Sequence, residues 1–431
     1  MSSSDRASQK GCYRFLQNPK VNESSLIDEM TTRCSKHVKG RHLVVIQDST
    51  SFNLNNLNNH YHRLKKNTGI GTIEDNFNLG FFMHVSLVMD AFTDTMLGFS
   101  DVQLWHRVYD DPDREKHISK LPIEEKESYK WIRACERTKE KFSDAQSITF
   151  VEDRDGDIYE QFVRVEDTNT HFVIRSCKDR LLANGTKFYE TLHGTKVCGT
   201  YEVMVAGDKR KKKAKRIAKV DVRFKKVNIS RSKQCINKDI CESIELYAVE
   251  AEERDYNGKD KICWRLLTTH KVSCLEDAIN IIECYRKRWY IEQLFRLLKK
   301  QGFAIEESQL ESGWAIRKLS VLALNAVLRV IQLMHACDEE TAQPIDEVFT
   351  GQEQDCLKQI NQQLKAKQSN PYHQNTLLWA KWIIARLGGW KGYKSERVPG
   401  PITLKRGLDN FNQIFNGWCL ALKLYEDVGT R

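Results

Sequence analysis

Residues 285–299 read Y-R-K-R-W-Y-I-E-Q-L-F-R-L-L-K. Tyr285, Arg288, Glu292 and Lys299 follow one another at separations of three, four and seven residues. At about 100° per helical residue, all four fall within about 60° of one another. Tyr290, Ile291, Leu294, Leu297 and Leu298 take the opposite side. One helix therefore offers an apolar face to a core and, on the other face, sets a carboxylate among cations. A glutamate there can hold a divalent metal through oxygen. The arginine, lysine and tyrosine beside it suit phosphate oxygens. The plain alternative is a solvated helix face with ordinary Glu/Arg/Lys pairs, so the rest of the chain has to decide.

The chain has 431 residues, enough for a large core and two or three domains. It carries 68 Lys+Arg against 58 Asp+Glu, a formal net charge of +10 that favours a polyanionic partner without deciding on one. Thirteen cysteines are scattered with no C-x-x-C pair, which predicts reduced, mostly buried thiols and excludes a disulfide framework or a zinc site. The start, M-S-S-S-D-R-A-S-Q-K, has no apolar signal core. The longest apolar stretch, Leu319–Met334, is broken by Asn325, Arg329 and Gln332 and reads as a buried helix, not a membrane span. These features predict a soluble, intracellular protein with no membrane partner.

Residues 5–40 read as polar helices. His42–Gln47, Gly80–Asp90, Met96–Trp105 and Ser147–Val151 read as strands, with a helix over Lys126–Lys139. Short apolar strands of this kind are covered on both faces by helices, so this part is a mixed α/β sheet. From about 160 to 275 the pattern changes to short strands with no long helix between them, a β-rich insert. It holds K-R-K-K-K-A-K-R from Lys209 to Arg216, a solvated loop suited to non-specific contact with DNA phosphates. From Leu275 on the chain is helical, first over 275–300, then over 312–336.

Two strands end in an aspartate: V-V-I-Q runs into Asp48 and T-F-V-E into Asp153. In sheets covered by helices, ligands gather beyond the carboxyl ends of strands. With Glu292 from a helix on the same sheet, three carboxylates can hold two Mg²⁺ ions that clamp the attacking and leaving oxygens of a phosphoryl transfer. Taken singly, Asp48 and Asp153 also suit turns after a strand.

The chain resembles the DDE transposases of bacterial insertion sequences, in the group that contains the transposon-five transposase. Gly11–Val21 resembles that group's G-A-Y-R-F segment, and Asp48-Ser49-Thr50-Ser51 its D-T-T-S turn. Lys126-Glu127-Ser128 with Lys130-Trp131 resembles K-E-S-x-K-W. Asp153–Tyr159 resembles D-R-E-x-D-I, Phe172–Ser176 resembles F-V-V-R-S, and Leu387–Pro401 resembles the L-G-G-W-x-G-Y tail, with Val398 where proline is usual. Tyr285, Arg288, Glu292 and Lys299 reproduce the Y-R-E-K signature at its full spacing.

The resemblance implies an RNase H-like mixed-sheet α/β catalytic core with a β-rich insert and a helical C-terminal region. It implies Asp48, Asp153 and Glu292 as catalytic metal ligands for Mg²⁺, with Mn²⁺ as substitute. The reaction implied is cut-and-paste transposition: end nicking, hairpin formation and opening, and strand transfer, all displacements at phosphorus. Trp264 would stack a flipped base, while Tyr285, Arg288 and Lys299 hold the adjacent phosphate. Arg175 is either a DNA-phosphate contact or a structural ion pair; His84 reads as a hydrogen-bonded core residue. The domains expected are a remnant of a helical DNA-binding region over 1–40, the core over 41–160 and 276–336, the insert over 161–275, and a helical, dimerising region over 337–431. The partners implied are transposon-end and target DNA and a second copy of the chain. Because the G-A-Y-R-F-like segment begins at Gly11, most of the family's end-recognition region is expected to be missing. The alternative is therefore a non-catalytic regulator that inhibits a full-length transposase by heterodimerisation.

Overall fold

The computed structural model describes residues 6–55, 68–73, 78–107, 121–205, 207, 214–233, 235–256, 258–336, 343–364, 368–393 and 395–429. A ten-stranded sheet forms its backbone. The first strands are β1 (His42–Asn53), the short β2 (Gly71–Thr72), β3 (Leu79–Asp90) and β4 (Met96–Trp105). Then come β5 (Ser147–Glu152) and β6 (Thr170–Arg175). β7 (Gly199–Val205), β8 (Arg216–Ser230), β9 (Ser243–Glu253) and β10 (Cys263–Thr268) complete the sheet. The order is β2-β3-β1-β5-β6-β10-β9-β8-β7, with β4 also paired to β3. β1 is antiparallel to β3 and parallel to β5, and β5 is parallel to β6. From β6 outward every pairing is antiparallel. The β-rich segment thus does not stand apart. β6, which the sequence reading groups with the insert, is a neighbour of β5, and β10 extends the same sheet from its edge.

Alternation along each strand divides the apolar residues between two cores. Leu43 and Val45 of β1, Phe150 of β5 and Phe172 and Ile174 of β6 share one core with Ile132 of α3 (Tyr129–Lys141) and Phe162 of α4 (Tyr159–Val165). Their sequence neighbours Val44, Ile46, Val151 and Val173 belong to the other core. That core is filled by Ile281 and Ile282 of α6 (Leu275–Arg286) and Leu294, Leu297 and Leu298 of α7 (Trp289–Lys299). Leu324 and Val327 of α8 (Gly313–His335) join them. A further short helix, α5 (Phe188–His193), precedes β7. This two-sided burial is why the strands read as unbroken apolar runs.

The N-terminal helices α1 (Arg6–Gln17) and α2 (Glu23–Ser35) are tied to α8. Asn22 caps α2 by accepting from the Ser25 amide at 2.8 Å. Arg317 of α8, almost fully buried, donates to Glu23 at 2.6 Å and to the Leu104 and Gly69 carbonyls. Lys318 donates to the carbonyls of Leu16 and Asn18. The chain ends in α9 (Gly351–Gln363), α10 (Leu377–Leu387) and α11 (Pro401–Gly429).

Three expectations need comment. Of the described cysteines only Cys34, Cys135, Cys235 and Cys356 are buried, and Cys177, Cys198, Cys241 and Cys274 are exposed, so the thiols are free but not mostly buried. The basic run from Lys209 lies outside the described residues as far as Lys213; its last member, Arg216, begins β8 and is paired with Glu253. Among the described residues no helix is long and apolar enough to cross a membrane. Leu319–Met334 lies within α8, whose Gln332 donates to the Met96 carbonyl and whose Arg329 pairs with Glu353.

Leu294 is fully buried on the face of α7 opposite Glu292. Leu294→Ala is expected to lower unfolding free energy by about 2–5 kcal/mol, read as a shift of the urea midpoint at unchanged slope.

Candidate active site

β1 and β5 run parallel, with Ile46 opposite Val151. Two residues beyond that pair lie Asp48 and Asp153; the sequence reading ended the first strand at Asp48, but β1 continues to Asn53 with Asp48 opposite Val85 of β3, and only Asp153 lies at a strand end. By alternation both belong to the face covered by α6 and α7. Asp153 ends its strand and leads into the tight turn Arg154–Gly156. Gly156 is required there: a Cβ would lie 2.0 Å from Oε2 of Glu152.

The sequence reading drew one helix through residues 285–299. The structure has two, α6 ending at Arg286 and α7 beginning at Trp289. Lys287 and Arg288 keep right-handed helical angles, but the turn is tightened to three-residue bonds. The Arg288 amide donates to the Tyr285 carbonyl at 3.0 Å and the Ile291 amide to the Arg288 carbonyl at 3.2 Å. Lys287 is drawn to the other side, to the Ala91 carbonyl at 3.0 Å and to Asp94.

Around this turn the candidate residues gather. The Arg288 guanidinium lies 3.6 Å from Asp48 Oδ2 and 3.8 Å from Asp153 Oδ2, and donates to Glu292 Oε1. Tyr285, almost fully buried, donates its hydroxyl to Asp153 Oδ1 at 3.1 Å. Arg175 is 3.8 Å from the same oxygen and also donates to the Cys263 carbonyl at 3.3 Å. Trp264 meets the Tyr285 ring edge-on, centroids 5.7 Å apart. Lys299 is the last residue of α7. Two turns beyond Glu292, its ammonium lies 5.6 Å from the Phe52 ring centroid and 3.9 Å from Glu306.

Three carboxylates against the guanidiniums of Arg288 and Arg175 leave one formal negative charge. Burial pushes the Asp48 carboxyl up to about 6; the Ser49 amide and Arg288 hold it down in part, while Asp153 and Glu292 push the same way as burial. Burial and the neighbouring Asp153 also raise the Tyr285 hydroxyl, keeping it a donor. The donor set of Asp48, Asp153 and Glu292 is three partly exposed carboxylates with no thiol or imidazole, which fits a hard cation such as Mg²⁺ or Mn²⁺. These three are gathered round Arg288 without bringing one oxygen each within 4.8 Å of the others; among the described residues another group does. His193, Glu250 and Glu252 bring one ligand atom each within 4.8 Å of the others. Yet Glu250 is already bonded to Arg223 and Arg265, and Glu252 to Lys261.

Two features escaped the sequence reading. Lys130, noted there only as part of a motif, lies near enough to Asp48 and Asp155 to feel both carboxylates, though burial lowers it overall. Behind the aspartates stands a buried polar group. Gln47 and Glu152 each precede an aspartate, so alternation turns them to the opposite face. The signal was legible: a glutamine and a glutamate inside otherwise apolar strands, one residue before each aspartate.

The family model described as "Transposase DDE domain" matches residues 13–329. Among solved structures, one similar chain is that of the "Cryo-EM structure of piggyBac transposase synaptic complex with hairpin DNA (SNHP)". It is 9% identical, and the match covers 78% of this chain and 59% of that one at a TM-score of 0.33, too low to carry a common fold.

Burial pushes the Glu152 carboxyl up to about 8. Between the ordinary carboxyl value and about 8 the folded state then binds more protons than the unfolded one. This contribution to stability is full below the ordinary value and is lost as pH rises through about 8. Glu152→Gln, which mimics the neutral acid, is expected to flatten that decline. Urea melts of both proteins at pH 5, 7 and 9 read the difference; parallel pH profiles would contradict it.

Proposed function

The chain belongs to the transposase DDE domain family, and from that premise we propose that it is a metal-dependent DNA transposase of the cut-and-paste kind. One observation carries the reading: Asp48, midway along β1, Asp153, just past the end of the adjacent parallel strand β5, and Glu292 on α7 converge on a single guanidinium. The order β4-β3-β1-β5-β6, three antiparallel strands followed by two parallel ones, supports an RNase H-like core. Residues 41–160 and 276–336 would contribute that core, and 161–275 the insert that widens its sheet.

Asp48, Asp153 and Glu292 would hold two Mg²⁺ ions, with Mn²⁺ as substitute. Such ions supply an activated water and stabilise charge on the attacking and leaving oxygens. The chain's own contribution is placement. Arg288, Tyr285 and Arg175 present donors to the phosphate at the reacting edge. Trp264, half-buried against Tyr285, offers a ring on which an unpaired base can stack. Lys299 would meet the DNA backbone further along α7. End nicking, hairpin formation and opening, and joining to target DNA all displace an oxygen at phosphorus, so one set of carboxylates serves each of them. We take the DNA-bound form to be a homodimer through the 337–431 region; exposed Ile402, Ile414 and Leu420 on α11 support a partner surface there.

The expected result is that Asp153→Asn lowers Mg²⁺- or Mn²⁺-dependent cleavage of element-end DNA by more than about 100-fold, since even residues behind metal ligands reach that scale. Its melting temperature and DNA affinity should be retained. Full cleavage by this variant would remove the assignment. No cleavage by the unaltered chain, with loss of a complete transposase's activity on mixing, would favour the inhibitory reading.

A further inference from the structure

Pleating sets Asp48 and Asp153 toward α6 and α7 and turns Gln47, Ser49 and Glu152 toward α3 and α4. On that second face an unbroken hydrogen-bonded chain runs from one aspartate-bearing strand to the other. Ser49, whose amide donates to Asp48 Oδ1 at 2.7 Å, has its hydroxyl 2.9 Å from Nδ1 of His84. Nε2 of His84 is 3.0 Å from Oε1 of Gln47, and the Gln47 amide donates to Cys135 Sγ at 3.1 Å. The Cys135 thiol donates to Glu152 Oε1 at 3.8 Å, and Gln161 donates to the same oxygen at 2.6 Å.

The polarity of this chain is fixed. Gln47 spends its N–H on the sulfur, so its carbonyl accepts from His84. The buried ring, held neutral by its surroundings, then accepts the Ser49 hydroxyl proton at Nδ1. Gln47, His84, Cys135, Glu152 and Gln161 are each 0% exposed. Apolar side chains would fill this space at no desolvation cost, whereas five buried polar groups are costly except where they bond one another, and here all but Glu152 Oε2 and Gln161 Oε1 among their side-chain oxygens are paired. A slip or splay of β1 against β5 would break several of these bonds together. In front of the sheet Arg288 bridges the two aspartates at 3.6 and 3.8 Å, but a guanidinium there occupies the space between the carboxylates that a cation would take.

We propose that Gln47, His84, Cys135 and Glu152 are positioning residues of the metal site, setting from behind the sheet the separation and tilt of Asp48 and Asp153. The inference rests on the reading of those aspartates as metal ligands. None of the four touches substrate or ion; Gln47 and Glu152 act through the backbone of the aspartate that follows each, and His84 and Cys135 act by holding those two.

The test measures Mn²⁺ affinity of the DNA-free protein by electron paramagnetic resonance, alongside DNA affinity, melting temperature and the metal and DNA dependence of cleavage. Cys135→Val cuts the chain midway at nearly constant volume, and Cys135→Ser keeps a donor and acceptor there. His84→Phe keeps the ring, whose edge contact with Trp131 is 4.6 Å between centroids, but removes both hydrogen bonds. The expected result is Mn²⁺ binding about tenfold weaker or worse in Cys135→Val and His84→Phe. DNA affinity should be unchanged, the metal concentration for half-maximal cleavage raised, and Cys135→Ser close to the unaltered protein. Wild-type Mn²⁺ affinity in Cys135→Val, or equal losses in the Val and Ser variants, would overturn the proposal. If His84→Phe does not fold, the Cys135 pair decides. Asp153→Asn separates the two ideas: Mn²⁺ binding indifferent to it removes the ligand reading itself, whereas binding that needs Asp153 but ignores Cys135 removes only the positioning role.

Discussion

β1 and β5 pair in parallel, so both strands deliver their carboxyl ends to one edge of the sheet. Everything at the candidate site follows from that pairing. It places Asp48 and Asp153 in register, although more than a hundred residues separate them in the chain. It leaves the edge beyond them open to α7, which brings Glu292. It also decides what lies behind: a residue before or after each aspartate is turned to the other face, where the buried chain through Cys135 links the two strands. Antiparallel pairing of the same strands would have sent the aspartates to opposite edges.

Charge is the second constraint. Three carboxylates at close quarters repel one another, and burial adds to the cost, as the raised value of Asp48 shows. Arg288 relieves this from the centre, touching all three. A guanidinium in that position and a pair of divalent ions answer the same electrostatic need. The turn between α6 and α7 that aims Arg288 inward sends Lys287 the other way, to Asp94 and the Ala91 carbonyl. The two adjacent cations thereby take different tasks.

Most of the sheet was legible because its strands hold apolar runs, but the first, read as His42–Gln47 ending at Asp48, continues through that aspartate to Asn53. Met96–Trp105 agrees at both ends, and Ser147–Glu152 extends the sequence reading by one residue. The break at Lys287–Arg288 was not legible. Both residues have ordinary helical angles, and the departure lies only in which carbonyl each amide chooses. Periodicity over residues 285–299 correctly sorted Ile291, Leu294, Leu297 and Leu298 to the core. It also set Lys299 with Tyr285, Arg288 and Glu292, whereas in the fold Lys299 turns to Phe52 and Glu306. A shared angular face still leaves residues two turns, roughly 10 Å, apart along the axis. The exposed cysteines were misjudged for a related reason: thiol burial is a tendency of the residue type, and local spacing carries no information about it.

The sequence by itself determined most of the elements, the alternation along each strand, the three carboxylates and the apolar face of α7. These depend on periods of two and 3.6 residues, which are properties of neighbours in the chain. Only the tertiary structure decided that β6 joins β5 and extends the sheet toward β10, that Arg288 stands among all three carboxylates, and that Gln47 reaches Glu152 through Cys135. Those contacts join residues from tens to hundreds of positions apart. They exist because two cores on opposite faces of one sheet leave each side chain a single place to go.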